Sequence, residues 1–250
     1  MLDPSAETAP RGSAEARDLR ERGYAVFPDL LDAARVRVLR EAVEELVAVA
    51  APDAFYAPDT RPVTDRVAIT PTGVAHDRLL SARPDLRPTV LPERLLAPLR
   101  EVLGGDLRVE LVGAVISDHT RPFFRWHTHI GGVEEGERNR RGAWPAVEGV
   151  HRVLTLLYLD DLDDESGPLL VLPRRVGDPT APPHPLDEPR WPGAVELRPR
   201  AGTLVALEQC TWHAAYSRRS PGHRRLIGGY FGAADTPVPD WADPTLAGSA

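Results

Sequence analysis

The sequence predicts a mainly β fold, either a sandwich or a jelly roll, with helices that precede the strands. Three observations support it: two amphipathic helix patterns lie in the first hundred residues, short β-rich runs follow, and the two kinds of segment do not alternate regularly. Regular alternation would instead indicate a parallel sheet with helices on both faces. The order of segments therefore argues against a Rossmann-type sheet.

Two segments carry the helix pattern. Between Leu31 and Val49 the apolar residues recur mostly at steps of three and four, which is typical of an amphipathic helix. A second helix is predicted from Pro92 to Leu103, because Pro and Glu stand at its start and Gly104-Gly105 follows its end. We therefore expect helices to dominate the first hundred residues.

Seven short runs rich in β-branched and aromatic residues come next, each of strand length. They are residues 107–116, 125–130, 153–159, 169–172, 194–197, 203–207 and 226–231. The connections 131–149 and 174–193 are long. Because long connections in a compact barrel are often functional, we expect both to form the rim of a pocket.

A chain of 250 residues with this texture is expected to fold as one domain. Its two ends are rich in Ala, Pro, Ser and Gly without any period, which is typical of tails. We therefore predict a flexible N-terminal tail over residues 1–14, a single domain over 15–233 and a C-terminal tail over 234–250.

Composition excludes several classes of function and location. The net charge is −7 and no basic run contains interleaved aromatics, so nucleic acid is not an expected partner. No apolar run reaches the roughly 18 residues of a membrane span, and the N-terminus lacks a signal-peptide pattern. The single cysteine, Cys210, suits a reducing compartment, which predicts a cytoplasmic protein. The sequence contains no lysine, which excludes Schiff-base catalysis by a lysine.

Three histidines and one arginine are candidates for a functional site. His127 and His129 are two apart in a β-rich run, so on a strand both would face the same side and could share a metal ion. His213 follows the predicted strand 203–207, and Arg224 comes eleven residues later. A hairpin would place Arg224 on the strand next to that of His213, where a guanidinium can bind a carboxylate with two hydrogen bonds. Arg225 would take this place if the register slipped by one residue.

Four motifs in order resemble the phytanoyl-CoA dioxygenase family and together span about residues 15–233. They are Gly23 to Leu31 before a helix, Trp126-His127, the run from Leu157 through Gly167 to Pro173, and Trp212-His213 followed by Arg224. The resemblance implies a double-stranded β-helix, a cupin-like jelly roll with N-terminal helices packed on one side. It also implies Fe(II), 2-oxoglutarate and O2 as requirements, with Arg224 binding 2-oxoglutarate.

The sequence departs from the family at one ligand position. The family has a carboxylate two residues after the first histidine, whereas this chain has His129. Four interpretations follow: His129 binds the metal, a carboxylate such as Asp118, Glu134 or Glu135 replaces it, a halide occupies a vacant position, or the site binds no metal. We take the first as the prediction, with His127, His129 and His213 as ligands and no catalytic residue beyond them.

The resulting functional hypothesis is an Fe(II)/2-oxoglutarate oxygenase that oxidises an unactivated C–H bond of a small metabolite, by hydroxylation or another outcome. A three-histidine iron dioxygenase without 2-oxoglutarate is the first alternative. A barrel that only binds a small acidic ligand is the second. The sequence leaves the substrate and the oligomeric state open.

Overall fold

Two antiparallel sheets face each other in the computed structural model, which describes residues 12–50, 60–130 and 141–246. The strands, in chain order, are β1 (Tyr24–Phe27), β2 (Arg61–Pro62), β3 (Val67–Thr70), β4 (Gly73–His76), β5 (Arg108–Ser117), β6 (Phe124–His127), β7 (Arg152–Tyr158), β8 (Leu169–Val171), β9 (Val195–Leu197), β10 (Leu204–Glu208), β11 (His213–Ala215) and β12 (Arg224–Gly232). The helices are α1 (Ala14–Arg22), α2 (Ala33–Ala50), α3 (Leu79–Ala82), α4 (Arg87–Val90) and α5 (Glu93–Leu103), with short 3-10 turns at Pro84–Leu86 and Pro244–Leu246.

The strand order identifies a cupin-like jelly roll. Among the described strands the larger sheet has the order β1-β10-β7-β12-β5-β4-β3-β2, and the smaller sheet has the order β6-β11-β8-β9. From β5 to β12 the described strands alternate between the sheets, as in a double-stranded β-helix, except that β8 and β9 pair with each other in the smaller sheet. The predicted mainly β fold with flanking helices is confirmed.

The predicted helices α2 and α5 form close to their expected bounds. The Asp32 carboxylate accepts a hydrogen bond from the N–H of Arg35 at 2.8 Å before the first turn of α2. Gly104, at φ 95°, ends α5. Leu39 of α2 and Leu99 of α5 belong to the same buried apolar core as Ile116 of β5. None of the described helices is long and apolar enough to cross a bilayer, and the cytoplasmic location remains a prediction.

The expectation that helices dominate the first hundred residues is only partly correct. The strand β1 enters the larger sheet beside β10, and β3 and β4 form a hairpin that pairs with β5. Each of these strands has four residues, too few to display a clear period of two. Long-range pairing with β5 and β10 stabilises them, and a local pattern does not contain that information.

The larger sheet separates a packed core from a cavity. On β5, Val112 and Ile116 are at most 1% exposed and belong to the core under the helices. The alternate residues Leu111, Gly113 and Val115 line the space between the two sheets. Because successive strand residues point to opposite faces, one strand contributes to both regions.

Residues 234–246, which the sequence assigns to a tail, pack against one end of the larger sheet. The N–H of Asp243 donates to the carbonyl of Glu110 at 2.7 Å, and Leu246 is buried in the main core. Trp241 lies against Tyr230 with ring centroids 4.9 Å apart. Three isolated apolar residues, Val238, Trp241 and Leu246, stand among Pro, Ala and Asp without a period, so the sequence pattern does not predict this packing.

Candidate metal centre

A cavity of about 280 Å³ lies between the two sheets. Its walls are mostly apolar and include Leu111, Val115, Leu154, Leu156, Leu169 and Leu226. Four histidines and one arginine line it: His127, His129, His213 and Arg224, which were selected from the sequence, and also His76, which was not. An apolar pocket with a few convergent polar groups is typical of a small-molecule site.

His127 and His213 are direct cross-strand neighbours in the smaller sheet. His127 is the last residue of β6, His213 is the first of β11, and their Cα atoms are paired in register. Side chains at such positions have Cβ atoms about 4.5–5.5 Å apart. The two ring centroids are 4.0 Å apart, and neither side chain is more than 9% exposed. The strand pairing alone therefore brings two imidazoles together.

His129 lies just beyond the end of β6 and completes the cluster. Its backbone N–H donates to the carbonyl of Gln209 at 2.9 Å, which holds the chain beside the segment that leads into β11. Its ring centroid is 5.1 Å from those of both His127 and His213. One potential ligand atom from each of the three histidines lies within 4.8 Å of the other two.

Hydrogen bonds and burial leave His127 and His213 in the neutral form that is able to bind a metal. The Nδ1 of His127 lies 2.9 Å from the carbonyl of Arg125, and the Nδ1 of His213 lies 3.0 Å from that of Thr211. A carbonyl only accepts, so each Nδ1 carries the proton and each Nε2 keeps its lone pair. Burial lowers the pKa of His127 to about 3 and lowers that of His213 well below its usual value. Both rings are therefore neutral, the form that binds metals.

The three imidazoles fit a divalent transition metal. Imidazole suits iron, nickel, copper and zinc, and the three ring nitrogens, within 4.8 Å of one another, can provide the donors for one such ion. Asp118 accepts hydrogen bonds from Thr120 and Arg121 instead and is not a member of the histidine cluster. Glu134 and Glu135 lie outside the described residues. Within the described residues, the geometry favours His129 over Asp118 as the third ligand.

Arg224 lines the same cavity from the larger sheet. Its Nη1 donates to the carbonyl of Gly167 at 2.6 Å, and the residue is 7% exposed. Burial lowers its pKa, yet no acidic side chain of the described residues pairs with it, and its buried Nε has no hydrogen-bond partner there. A buried guanidinium without a counter-ion is costly, so this position favours an anionic ligand.

The neighbouring arginine faces the opposite way. The Nη1 of Arg225 lies 3.0 Å from the Asp160 carboxylate, and its Nη2 lies 2.5 Å from that of Glu44 on α2. Arg225 is therefore paired on the helix side of the sheet. The alternative in which it replaces Arg224 in the pocket does not agree with this register.

The predicted hairpin between the strands of His213 and Arg224 is wrong. β11 pairs with β6 and β8, whereas β12 pairs with β5 and β7. Residues 216–223 cross from the smaller sheet, which contains β11, to the larger sheet, which contains β12. His213 and Arg224 consequently line the cavity from opposite sheets.

The described parts of the two long connections do not form the expected rim, since none of residues 141–149 and 174–193 lines the cavity. Trp191, from the second connection, stacks on Trp126 with ring centroids 4.3 Å apart and planes at 11°. The backbone N–H of Trp126 donates to the carbonyl of Leu186 at 3.1 Å. This connection therefore supports β6, the strand that ends at His127, from behind.

Several further residues line the pocket that were not predicted from the sequence. The β3–β4 hairpin and the residue after it contribute Thr72, Ala75 and Asp77, while Tyr158 and Tyr230 come from β7 and β12. Both tyrosines lie in predicted strands, and alternation from Arg224 would have placed Tyr230 on the pocket side. The β3–β4 hairpin reaches the pocket through its pairing with β5, and no motif or periodicity near the hairpin predicts this pairing.

Comparisons with known proteins agree with this architecture. The model of the family "Phytanoyl-CoA dioxygenase (PhyH)" matches residues 19–226. HygX from Streptomyces hygroscopicus, solved with nickel and 2-oxoglutarate, superposes with a TM-score of 0.63 at 19% identity over 94% of this chain and 93% of its own. SnoK, a non-haem α-ketoglutarate-dependent carbocyclase from nogalamycin biosynthesis, gives 0.64 at 20% identity, covering 90% of this chain and 85% of its own.

SnoN, a non-haem α-ketoglutarate-dependent epimerase from the same pathway, gives a TM-score of 0.62 at 17% identity over 94% of this chain and 89% of its own. At these identities the likeness demonstrates a shared fold. No curated protein sequence gives a significant match. The family match spans most of the chain and includes His127, His129, His213 and Arg224. The protein therefore belongs to the phytanoyl-CoA dioxygenase family.

Proposed function

We propose that the protein is a non-haem Fe(II)/2-oxoglutarate-dependent oxygenase that oxidises a C–H bond of a small metabolite. In this proposal His127, His129 and His213 hold the iron, and Arg224 binds 2-oxoglutarate. The observation that carries it is a buried guanidinium that has no acidic partner among the described residues and that lines the same cavity as three clustered imidazoles. Family membership supports it, as do the metal and 2-oxoglutarate in the HygX structure.

Iron with 2-oxoglutarate would activate O2 for the oxidation, and the chain's residues would position the reactants. Three neutral imidazoles leave a bound Fe(II) with one more unit of positive charge than two histidines and a carboxylate. This charge favours anionic ligands such as a 2-oxo carboxylate. Arg224, across the cavity, would bind the distal carboxylate through charge-assisted hydrogen bonds. The leucine-rich walls would exclude water from the reacting groups.

A small organic molecule is the proposed substrate, and no nucleic-acid or membrane partner is proposed. The cavity size agrees with this, and related folds have been solved with hygromycin B and with nogalamycin RO. The decisive test measures succinate formation by the Fe(II)-loaded protein with 2-oxoglutarate and a panel of metabolites. Succinate that rises with one panel member supports the proposal, and a protein that binds no iron contradicts it.

A three-histidine dioxygenase that needs no cosubstrate is the second candidate, because the clustered imidazoles also agree with that class. Oxygen uptake measured with and without 2-oxoglutarate separates the two. We expect uptake to require 2-oxoglutarate, since Arg224 otherwise has no anionic partner among the described residues. Uptake that is independent of 2-oxoglutarate would favour the second candidate.

The role of His129 is tested by two substitutions. We expect His129→Ala to lower iron affinity, because it removes one of three ligands. We expect His129→Asp to keep iron bound, since a carboxylate restores the two-histidine-one-carboxylate ligand set. The measurements are iron stoichiometry and the ratio of succinate to product. Full iron binding and activity in His129→Ala would exclude His129 as a ligand.

A further inference from the structure

The three clustered histidines differ in what holds their rings. Backbone carbonyls accept from the Nδ1 of His127 and of His213. The Nδ1 of His129 instead lies 3.4 Å from the hydroxyl of Tyr230 on β12, with the two rings nearly perpendicular at 79°. His129 is thus the member of the cluster whose Nδ1 lies beside a side-chain hydroxyl.

This difference matters because a hydroxyl can donate or accept, whereas a carbonyl only accepts. If the Tyr230 hydroxyl donates to Nδ1, a neutral His129 carries its proton on Nε2, and that nitrogen cannot bind a metal. If Nδ1–H donates to the hydroxyl oxygen, the Nε2 lone pair is free for the metal. Metal binding through Nε2 therefore requires Tyr230 to act as acceptor.

Tyr230 is itself held in place by a series of contacts. Trp241 packs on its ring at 4.9 Å, and the guanidinium of Arg152 lies 5.8 Å from the Trp241 ring centroid. Arg152 is fixed by Glu110 through hydrogen bonds of 2.5 and 3.0 Å, and both residues are buried. These contacts restrict the Tyr230 ring and keep its hydroxyl beside His129.

We propose that Tyr230 is a positioning residue for the metal site: its hydroxyl accepts from Nδ1–H of His129 and holds Nε2 toward the metal. The inference rests on the proposed function, because it takes His129 to be a ligand. Where the family has a carboxylate ligand, this chain has His129, whose orientation would then depend on a tyrosine from the opposite sheet. The inference also gives the packed segment 234–246 a role, since Trp241 restrains that tyrosine.

The test is a titration of the metal-free protein with Co(II), followed by the visible absorption of the bound ion. Tyr230→Phe removes one oxygen and keeps the ring that contacts Trp241, so the fold should persist, as circular dichroism can check. Loss of a partner that orients a metal ligand typically weakens metal affinity by about 10- to 100-fold, and we expect a loss in this range. Tyr158→Phe is the matched control, since it removes a hydroxyl from the same cavity and should leave cobalt affinity unchanged.

A double-mutant cycle separates positioning from a general structural effect. In a His129→Ala background, Tyr230→Phe should cause no further loss of cobalt affinity, because the ligand that it orients is gone. Equal cobalt binding by wild type and Tyr230→Phe would overturn this inference alone. Additive losses in the double variant would also overturn it. A wild-type protein that binds no cobalt would overturn the proposed metal site and this inference together.

Discussion

The two faces of the larger sheet are built from the same strands, but one face packs in the core and the other lines the cavity. On β12, Arg225 and Ile227 face α2 and the main core, where an ion pair and apolar contacts fill the space. Arg224 and Leu226 face the cavity, where the guanidinium lacks an acidic partner among the described residues. The chain itself thus satisfies the charged groups of one face, and in the proposed function a ligand would pair with the guanidinium of the other.

This comparison indicates how the fold separates stability from binding. Residues of helices α2 and α5 form an apolar core with one face of the sheet, and this core is fully packed without any contribution from the cavity. The smaller sheet covers the other face incompletely and leaves about 280 Å³. Substitutions on the helix face should therefore change the free energy of unfolding, whereas those on the cavity face should change ligand affinity.

The largest expected effect is at the metal ligands. We expect His127→Ala and His213→Ala each to abolish iron binding, because each removes one of the two ligands whose rings are oriented by a backbone carbonyl, whereas His129→Ala leaves both of these in place. The fold should persist, since the loss is confined to the cavity. Iron content of the purified variants and their circular dichroism spectra measure the two effects. Stoichiometric iron in either variant would contradict the assignment.

The two adjacent arginines provide the next test. Arg224→Ala should raise the apparent KM for 2-oxoglutarate by about 30-fold or more, since truncating one partner of a buried charge pair costs about 2–5 kcal/mol. Iron content should not change. Arg225→Ala is the matched control and should leave this KM unchanged, because Arg225 pairs with Asp160 and Glu44 outside the cavity. The reverse result would show that Arg225 binds the cosubstrate.

Most of the residues on the cavity face that form the candidate site could be predicted from the sequence. Motif order selected His127, His213 and Arg224, and the structure brings all three to one cavity. The choice between Arg224 and Arg225 stayed open, because strand alternation shows only that the two side chains face opposite sides of the sheet. Which one faces the cavity is decided by distant residues, since Asp160 and Glu44 pair with Arg225 on the helix side. The separation of His213 and Arg224 into opposite sheets could not be predicted from spacing.

Other features of the pocket could not be predicted, because they depend on contacts between residues that are far apart in the sequence. The β3–β4 hairpin lines the pocket through its pairing with β5, far along the chain. Trp241 lies in a segment without periodicity and packs on Tyr230. Spacing identified His129 as a candidate ligand, but its hydroxyl partner became visible only when β12 was placed opposite β6.

The smallest expected effect compares two neighbouring residues on β12. Ile227, 2% exposed in the core under the helices, and Leu226, on the cavity wall, can each be shortened to valine, which favours strands. We expect Ile227→Val to lower the free energy of unfolding by about 0.5–1.5 kcal/mol, because it opens a void in a packed region. Leu226→Val should cost less, since its side chain already borders empty space and the deletion only enlarges it. Urea denaturation of the metal-free variants measures both values. Equal losses would mean that the two faces of the sheet are packed alike and that the cavity closes in solution.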